Sequence, residues 1–181
     1  MTKVLIPYDF SEQAQNALNF TTDLAERLES IHVEVLHVME IPTSTSFGTM
    51  GGGEVIPDME NQIFFMELMN RRKEQMNDLR EKYEGKKFSF SAKIKMGNAF
   101  KSISESIIEE KPDIVVMGSK GTSGVEEVLV GSNTEKVVRT ATCPVVTIKS
   151  AVDSASIKKI VFASDFKEES EVLLTEPEGI T

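Results

Sequence analysis

The residues best suited to chemistry lie between Met117 and Asn133, which read Met-Gly-Ser-Lys-Gly-Thr-Ser-Gly-Val-Glu-Glu-Val-Leu-Val-Gly-Ser-Asn. A short apolar run, Ile114-Val115-Val116, leads in, and Ser132-Asn133-Thr134-Glu135 reads as the start of a helix. Strand, glycine-rich loop and helix N-terminus is the order a phosphate site needs. Glycines let the backbone approach an anion, and the free amides of a helix start point at it. Gly118 gives a tight exit from the strand, Gly121 and Gly124 keep side chains off the backbone amides, and Gly131 leaves room for a phosphate. Ser132 carries two readings: its hydroxyl donates to an anion, or it closes an S-x-x-E capping box with Glu135. Lys120 either neutralises phosphate charge or is a solvated loop lysine.

Such a loop needs a scaffold, and the chain supplies one in alternating pieces. Buried-strand patterns span residues 3–7, 32–39, 87–95, 113–117 and 145–148. Helices are expected from a Ser11 cap to about Glu29, from Asp58 to Tyr83, from Asn98 to a stop before Pro112, and over 133–140. The inward faces read as Ala14, Ala17, Leu18, Phe20 or Thr21, Leu24, Ala25 and Leu28; as Met59, Ile63, Met66, Met69 or Asn70, Met76 and Leu79; as Phe100, Ile103, Ile107 and Ile108; and as Val137 with Val138. The strand 87–95 alternates Phe88, Phe90, Ala92 and Ile94 with lysines and serines, the pattern of a sheet edge. The order β-α-β-α-β-α-β-α-β predicts an α/β three-layer sandwich with a five-stranded parallel sheet, order 3-2-1-4-5. Ligands of such sheets sit where chain order reverses. That is between the first and fourth strands, so Pro7-Tyr8-Asp9 should face Gly118 to Gly121. Asp9 is then either a ligand contact or a turn carboxylate. Residues 41–57, with Gly51-Gly52-Gly53, are either a hinged lid or a plain loop.

The remaining composition narrows the choices. A net charge of -9 argues against a nucleic-acid surface. A single cysteine, Cys143, forbids an intrachain disulfide and fits a reducing cytosol. No apolar run reaches membrane-helix length, and Met1-Thr2-Lys3-Val4 enters a strand at once, so a cytoplasmic protein without leader or membrane span is expected. His32 and His37 have no ligating neighbour at metal spacing and read as packed histidines, and Cys143 has no adjacent base. No Ser/His/Asp or paired-carboxylate arrangement appears, which favours binding over rapid catalysis. G-x-x-x-x-G-K-[S/T] and G-x-G-x-x-G after the first strand are both absent.

The tail repeats the head. Lys159-Ile-Val-Phe-Ala-Ser-Asp-Phe-Lys-Glu168 parallels Lys3-Val-Leu-Ile-Pro-Tyr-Asp-Phe-Ser-Glu12. A repeat at domain length implies tandem copies of one fold, with 1–150 as the first domain and 151–181 as a linker and incomplete start of the second. The alternative is a C-terminal arm.

The spacing Gly118-x2-Gly121-x9-Gly131-Ser132 resembles the ATP-binding signature of the universal stress protein family. The likeness extends to the first strand ending in Pro7 and Asp9, to His37-Val38 and to the closing Cys143-Pro-Val-Val. It implies a Rossmann-like fold of the adenine nucleotide alpha hydrolase type, and a stress-response module holding ATP, with or without Mg2+. Asp9 would contact the nucleoside and the Val38 backbone the adenine, with Pro7, Tyr8 and Met117 as neighbouring walls. Gly118, Lys120, Gly121, Gly131, Ser132 and Asn133 would take the phosphates. The fifth strand, Val145 to Ile148, would pair with a second copy or a second domain. Two rivals stand beside this reading: a dimerisation module without nucleotide, and a slow ATPase on the same fold.

Overall fold

The computed structural model describes residues 1–40, 59–120, 130–159 and 161. Lys3 to Pro7 form a short buried strand because apolar residues follow one another without helical spacing, as they do over 114–117 and 145–148, whereas 89–96 alternates apolar with polar side chains. The strands are β1 Thr2–Pro7, β2 Ile31–Met39, β3 Ser89–Met96, β4 Ile114–Gly118 and β5 Val145–Ile148. All pair in parallel in the order β3-β2-β1-β4-β5, the topology expected. The helices between them are α1 Glu12–Arg27, α2 Met59–Tyr83, α3 Ala99–Glu110 and α4 Ser132–Thr140. Right-handed crossovers put α1 and α2 on one face and α3 and α4 on the other. The core divides accordingly. Val4, Ile6, Leu18, Val33, Val35, Met76 and Ala92 pack on one face, and Leu5, Leu36, Ile103, Ile107, Val115 and Val137 on the other.

Local signals set the helix starts. Ser11 caps α1, its Oγ accepting the Ala14 amide at 3.1 Å, and Asn98 caps α3 by accepting the Lys101 amide at 3.0 Å. Several inward-face expectations need correction. Leu24 of α1, Leu28 just past its end, Ile108 of α3 and Val138 of α4 are exposed; Ile108 and Val138 each follow a buried residue, Ile107 and Val137, so one step of about 100° around the helix turns them off the packed face. Ile63 and Met66 are also exposed, while Met76 is buried. Helix α2 has 25 residues, about 37 Å at 1.5 Å each. It is longer than the strands it covers, so its first turns overhang their carboxyl ends. The side chain of Met59, the segment 41–58 with its three glycines, and nearly all of the tail repeat lie outside the described residues. Among those described, no helix is long and apolar enough to cross a membrane.

The edge strand β3 is tied to its neighbours by buried charge. Glu34 of β2, its side chain only 5% exposed, meets Lys93 Nζ of β3 at 2.9 Å, and the same ammonium meets Glu110 Oε2 of α3 at 3.0 Å. His32 Nε2 stands 3.8 Å from Glu34, and Lys3 Nζ donates to the Glu110 carbonyl at 2.8 Å. Burial, then the nearby Glu110 carboxylate, holds the Glu34 carboxyl above its ordinary 4.5. Glu110 is held below that value, first by the hydrogen bond with Glu34.

A group whose pKa is raised by folding contributes stability that is full below its unfolded value and lost as pH rises through the folded one. The depressed Glu110 titrates below that window. Glu34→Gln should therefore gain stability relative to the wild type as pH rises above the ordinary carboxyl value of about 4.5 and through the raised one. Urea unfolding at a series of pH values measures the gap, and a gap independent of pH would contradict the assignment.

Candidate functional site

At the carboxyl ends of β1, β2 and β4 the sheet opens into a crevice of about 500 Å³. Chain order reverses here: from β1 the chain moves to β2 and β3, and later returns to β4 on the other side. Pro7, Tyr8, Asp9, Val38, Met117, Gly118, Lys120, Gly131, Ser132 and Asn133 all line it, so ten of the residues expected from the sequence converge. Gly121 and Gly124 lie outside the described residues.

The glycine end is built by stapling the exit of β4 to the start of α4. The Gly131 amide donates to the Ser119 carbonyl at 2.7 Å, and the Thr134 hydroxyl donates to the Gly118 carbonyl at 2.9 Å. Ser119 is anchored in turn by its amide, which donates to the Ile148 carbonyl of β5 at 2.9 Å. Helix α4 starts one residue earlier than expected. Gly131, extended at φ -67 and ψ 147, is the N-cap, and no side chain caps the helix. The capping box of Ser132 with Glu135 is thus not formed. Ser132 is the first helical residue, one place too far along to cap, and Glu135 pairs instead with Arg139 at 3.0 Å. The amides of Ser132, Asn133 and Thr134 begin the helix without intrahelical partners, where the helix dipole favours an anion.

Gly118 is needed for a different reason than a tight exit. A Cβ there would stand 2.8 Å from the Gln13 carbonyl carbon and 2.9 Å from the Ala14 nitrogen. The glycine lets β4 pass against the first turn of α1.

The opposite wall comes from the β1–α1 turn. Asp9 Oδ1 accepts the Ser11 amide at 3.0 Å, so the carboxylate does shape the turn, and it also lines the crevice. Phe10 between them sits at φ 64, left-handed backbone that a bulky side chain seldom adopts. Its ring packs edge-on to Tyr8 and to His37, at 4.9 and 4.8 Å between centroids. The Tyr8 amide donates to the Leu36 carbonyl, and His37 Nδ1 lies 2.7 Å from the Tyr8 carbonyl. A carbonyl only accepts, so Nδ1 carries the proton. Burial holds His37 below its ordinary 6.5, which keeps the ring neutral near pH 7. Burial, with smaller effects from Tyr83 and Asp9, pushes the Tyr8 phenol up to about 12, and its hydroxyl donates to Gln15 Oε1 at 2.6 Å.

The floor at β2 is Val38 to Glu40. The Met39 carbonyl accepts the Gly97 amide at 2.9 Å, and Glu40 Oε1 accepts the Ala99 amide at 3.3 Å. Cys143 packs half-buried in the core of the α3–α4 face, and burial raises its thiol pKa. Among the described residues no three His, Cys, Asp or Glu side chains converge as a metal would require.

Sequence reading missed Thr134, His37 and Glu40 as crevice residues, along with Leu68 and Arg72 of α2 and Ala99 and Ile103 of α3. Thr134 could have been suspected from its place two residues past Ser132. Arg72 carried no signal, since its position depends on how far α2 overhangs the sheet.

A family model described as "Universal stress protein family" matches residues 1–149. A universal stress protein of Methanocaldococcus jannaschii is 31% identical over 155 residues, covering 81% of this chain and 94% of its own. Its solved structure superposes with a TM-score of 0.68 at 28% identity, over 82% of this chain and 95% of that one. A universal stress protein of Arabidopsis thaliana, solved with AMP bound, has the same fold, with a TM-score of 0.55 at 21% identity over 84% of this chain and 94% of its own.

The close approach at Gly118 gives a direct test. Gly118→Ala forces a methyl group onto α1 backbone and should destabilise the fold by about 1–3 kcal/mol. The midpoint of urea unfolding measures this, and an unchanged midpoint would show that α1 and β4 are not packed as described.

Proposed function

The chain belongs to the universal stress protein family, and from that premise we propose that it is a regulatory stress-response module that binds ATP in the crevice between β1 and β4. The observation that carries this reading is the uncapped start of α4, which faces the same crevice as Lys120 and the Pro7–Asp9 turn. Triphosphate oxygens would accept the amides of Ser132 and Asn133 and the Ser132 hydroxyl, with Lys120 and the glycines Gly118, Gly121 and Gly131 around them. Asp9 would accept from the sugar hydroxyls. Adenine would lie against Val38, between Pro7 and Met117. A volume of about 500 Å³ suits a ligand of this size.

The groups at the glycine end are hydrogen-bond donors and a cation, which hold phosphates. The reading is therefore retention of ATP, with slow hydrolysis at most. A Mg2+ travelling with the triphosphate would supply charge neutralisation to the phosphates, and no His, Cys, Asp or Glu cluster among the described residues would hold it. The exposed edge of β5, Val145–Ile148, is the surface for pairing with a second copy or a second domain. Residues 151–181 then serve as a linker and the start of that second domain, in a cytoplasmic protein. The linker's first part returns along α1, where the Ser154 hydroxyl donates to Asp23 Oδ2 at 2.6 Å and Arg27 meets Asp153 at 3.4 Å.

Isothermal titration of the folded protein with ATP tests the reading. Binding at micromolar concentration is expected, and no heat up to millimolar ATP would remove it. Gly131→Asp sharpens the test, because aspartate is a preferred N-cap whose carboxylate would take the amides meant for phosphate. It should weaken ATP by roughly tenfold or more while leaving the melting temperature equal or higher.

A further inference from the structure

Among the described residues, Arg72 is the crevice cation that belongs to neither the glycine end nor the β1 turn. It stands on α2, where the overhanging helix passes the ends of the strands, and it lines the crevice with Leu68. Its guanidinium lies over the Phe10 ring, 4.4 Å from the centroid, and its Nη1 donates to Gln75 Oε1 at 2.8 Å. The platform beneath it is rigid. Phe10 is fixed by the Asp9–Ser11 turn and wedged against Tyr8 and His37. An arginine held on a ring in this way has lost most of its rotamer freedom before any ligand arrives.

Its place in the sheet decides which part of a ligand it meets. Helix α2 packs on the face of β2 that carries Val33 and Val35, and His37 continues that face to the strand's end. The phosphate donors belong to β4 and α4. Strand β1 separates β2 from β4, so their ends are about 10 Å apart, two inter-strand spacings. Lys120 and Arg72 therefore mark opposite ends of the crevice. A guanidinium offers only donors, so it recognises acceptors: ring nitrogens of a base or oxygens of a sugar.

We propose that Arg72, seated on Phe10 beside His37, is a specificity-determining residue that reads the nucleoside part of the bound nucleotide and not its phosphates. The proposal rests on the nucleotide reading of the crevice. It extends the site to a helix outside the glycine signature.

Titration of wild type, Arg72→Ala, Arg72→Lys and Lys120→Ala with adenosine, AMP, ADP and ATP tests it. Arg72→Ala should weaken all four ligands by the same factor, roughly tenfold, as expected for a hydrogen bond from a charged donor. Arg72→Lys should not restore affinity, because the ammonium lacks the planar fork. Lys120→Ala should lose more affinity with each added phosphate. The melting temperature of the ligand-free Arg72 variants should stay within a few degrees of the wild type, about the loss of one cation–π contact. A loss that grows with phosphate number at Arg72, or rescue by lysine, would make it a phosphate or simple charge contact and overturn the proposal. Unchanged affinities in Arg72→Ala, with wild type binding normally, would leave only packing on Phe10 and overturn it while sparing the nucleotide reading. Failure of the wild type to bind any of the four would remove both.

Discussion

At Gly118 the sheet and the first helix approach so closely that only a hydrogen fits between them. A methyl group there would lie 2.8 Å from α1 backbone. The rest of the site follows from this contact. It sets the height at which β4 ends relative to the start of α1, and thereby the distance between the two walls of the crevice. From Gly118 the backbone is held on both sides: its carbonyl accepts the Thr134 hydroxyl, and the next carbonyl accepts the Gly131 amide. These bonds carry the start of α4 to the mouth of the sheet and leave its first amides facing the crevice. Side-chain capping would have spent those donors, and the helix begins at a glycine that cannot cap.

The facing wall is built on strain offset by local bonds. Phe10 sits in left-handed backbone, which disfavours an aromatic residue. The Asx-type bond from Asp9, the Ser11 cap and ring contacts to Tyr8 and His37 compensate it. The neutral His37 ties β1 to β2 by bonding the Tyr8 carbonyl. Its role as a packed, hydrogen-bonded histidine agrees with the reading from sequence, although its place beside the crevice was not visible there.

Along the β3 edge of the sheet, the Glu34–Lys93–Glu110 cluster ties β3 to β2 and α3. The lysines that mark β3 as an edge are thus not all solvent gatekeepers, because Lys93 reaches inward to a buried carboxylate. Only the Glu34 carboxylate of this pair is buried, and the half-exposed Lys93 ammonium supplies the charge that offsets its desolvation. The cluster lies partway along the strands, with Glu34 level with Leu5 and Ser91, and none of its three side chains lines the crevice.

The sequence by itself determined the layer order, the edge position of β3 and the end of the sheet that carries the crevice. Strand and helix periodicities with right-handed crossovers leave few other arrangements, and glycines between Met117 and Asn133 mark the strand–helix junction. It also named ten residues that line the crevice, because those residues leave strands whose order was already fixed. Tertiary structure decided the remainder. Whether Ser132 capped α4 depended on where the helix began, and a bond from Thr134 to a strand sixteen positions away helped to set that start. Whether Ile108 and Val138 were buried depended on how each helix was rotated against the sheet, since their neighbours Ile107 and Val137 took the packed positions. Arg72 entered the site only because α2 is longer than the strands beneath it. Spacing along a chain records which residues share a face. It does not record how far one element overhangs another, and that overhang is set by packing.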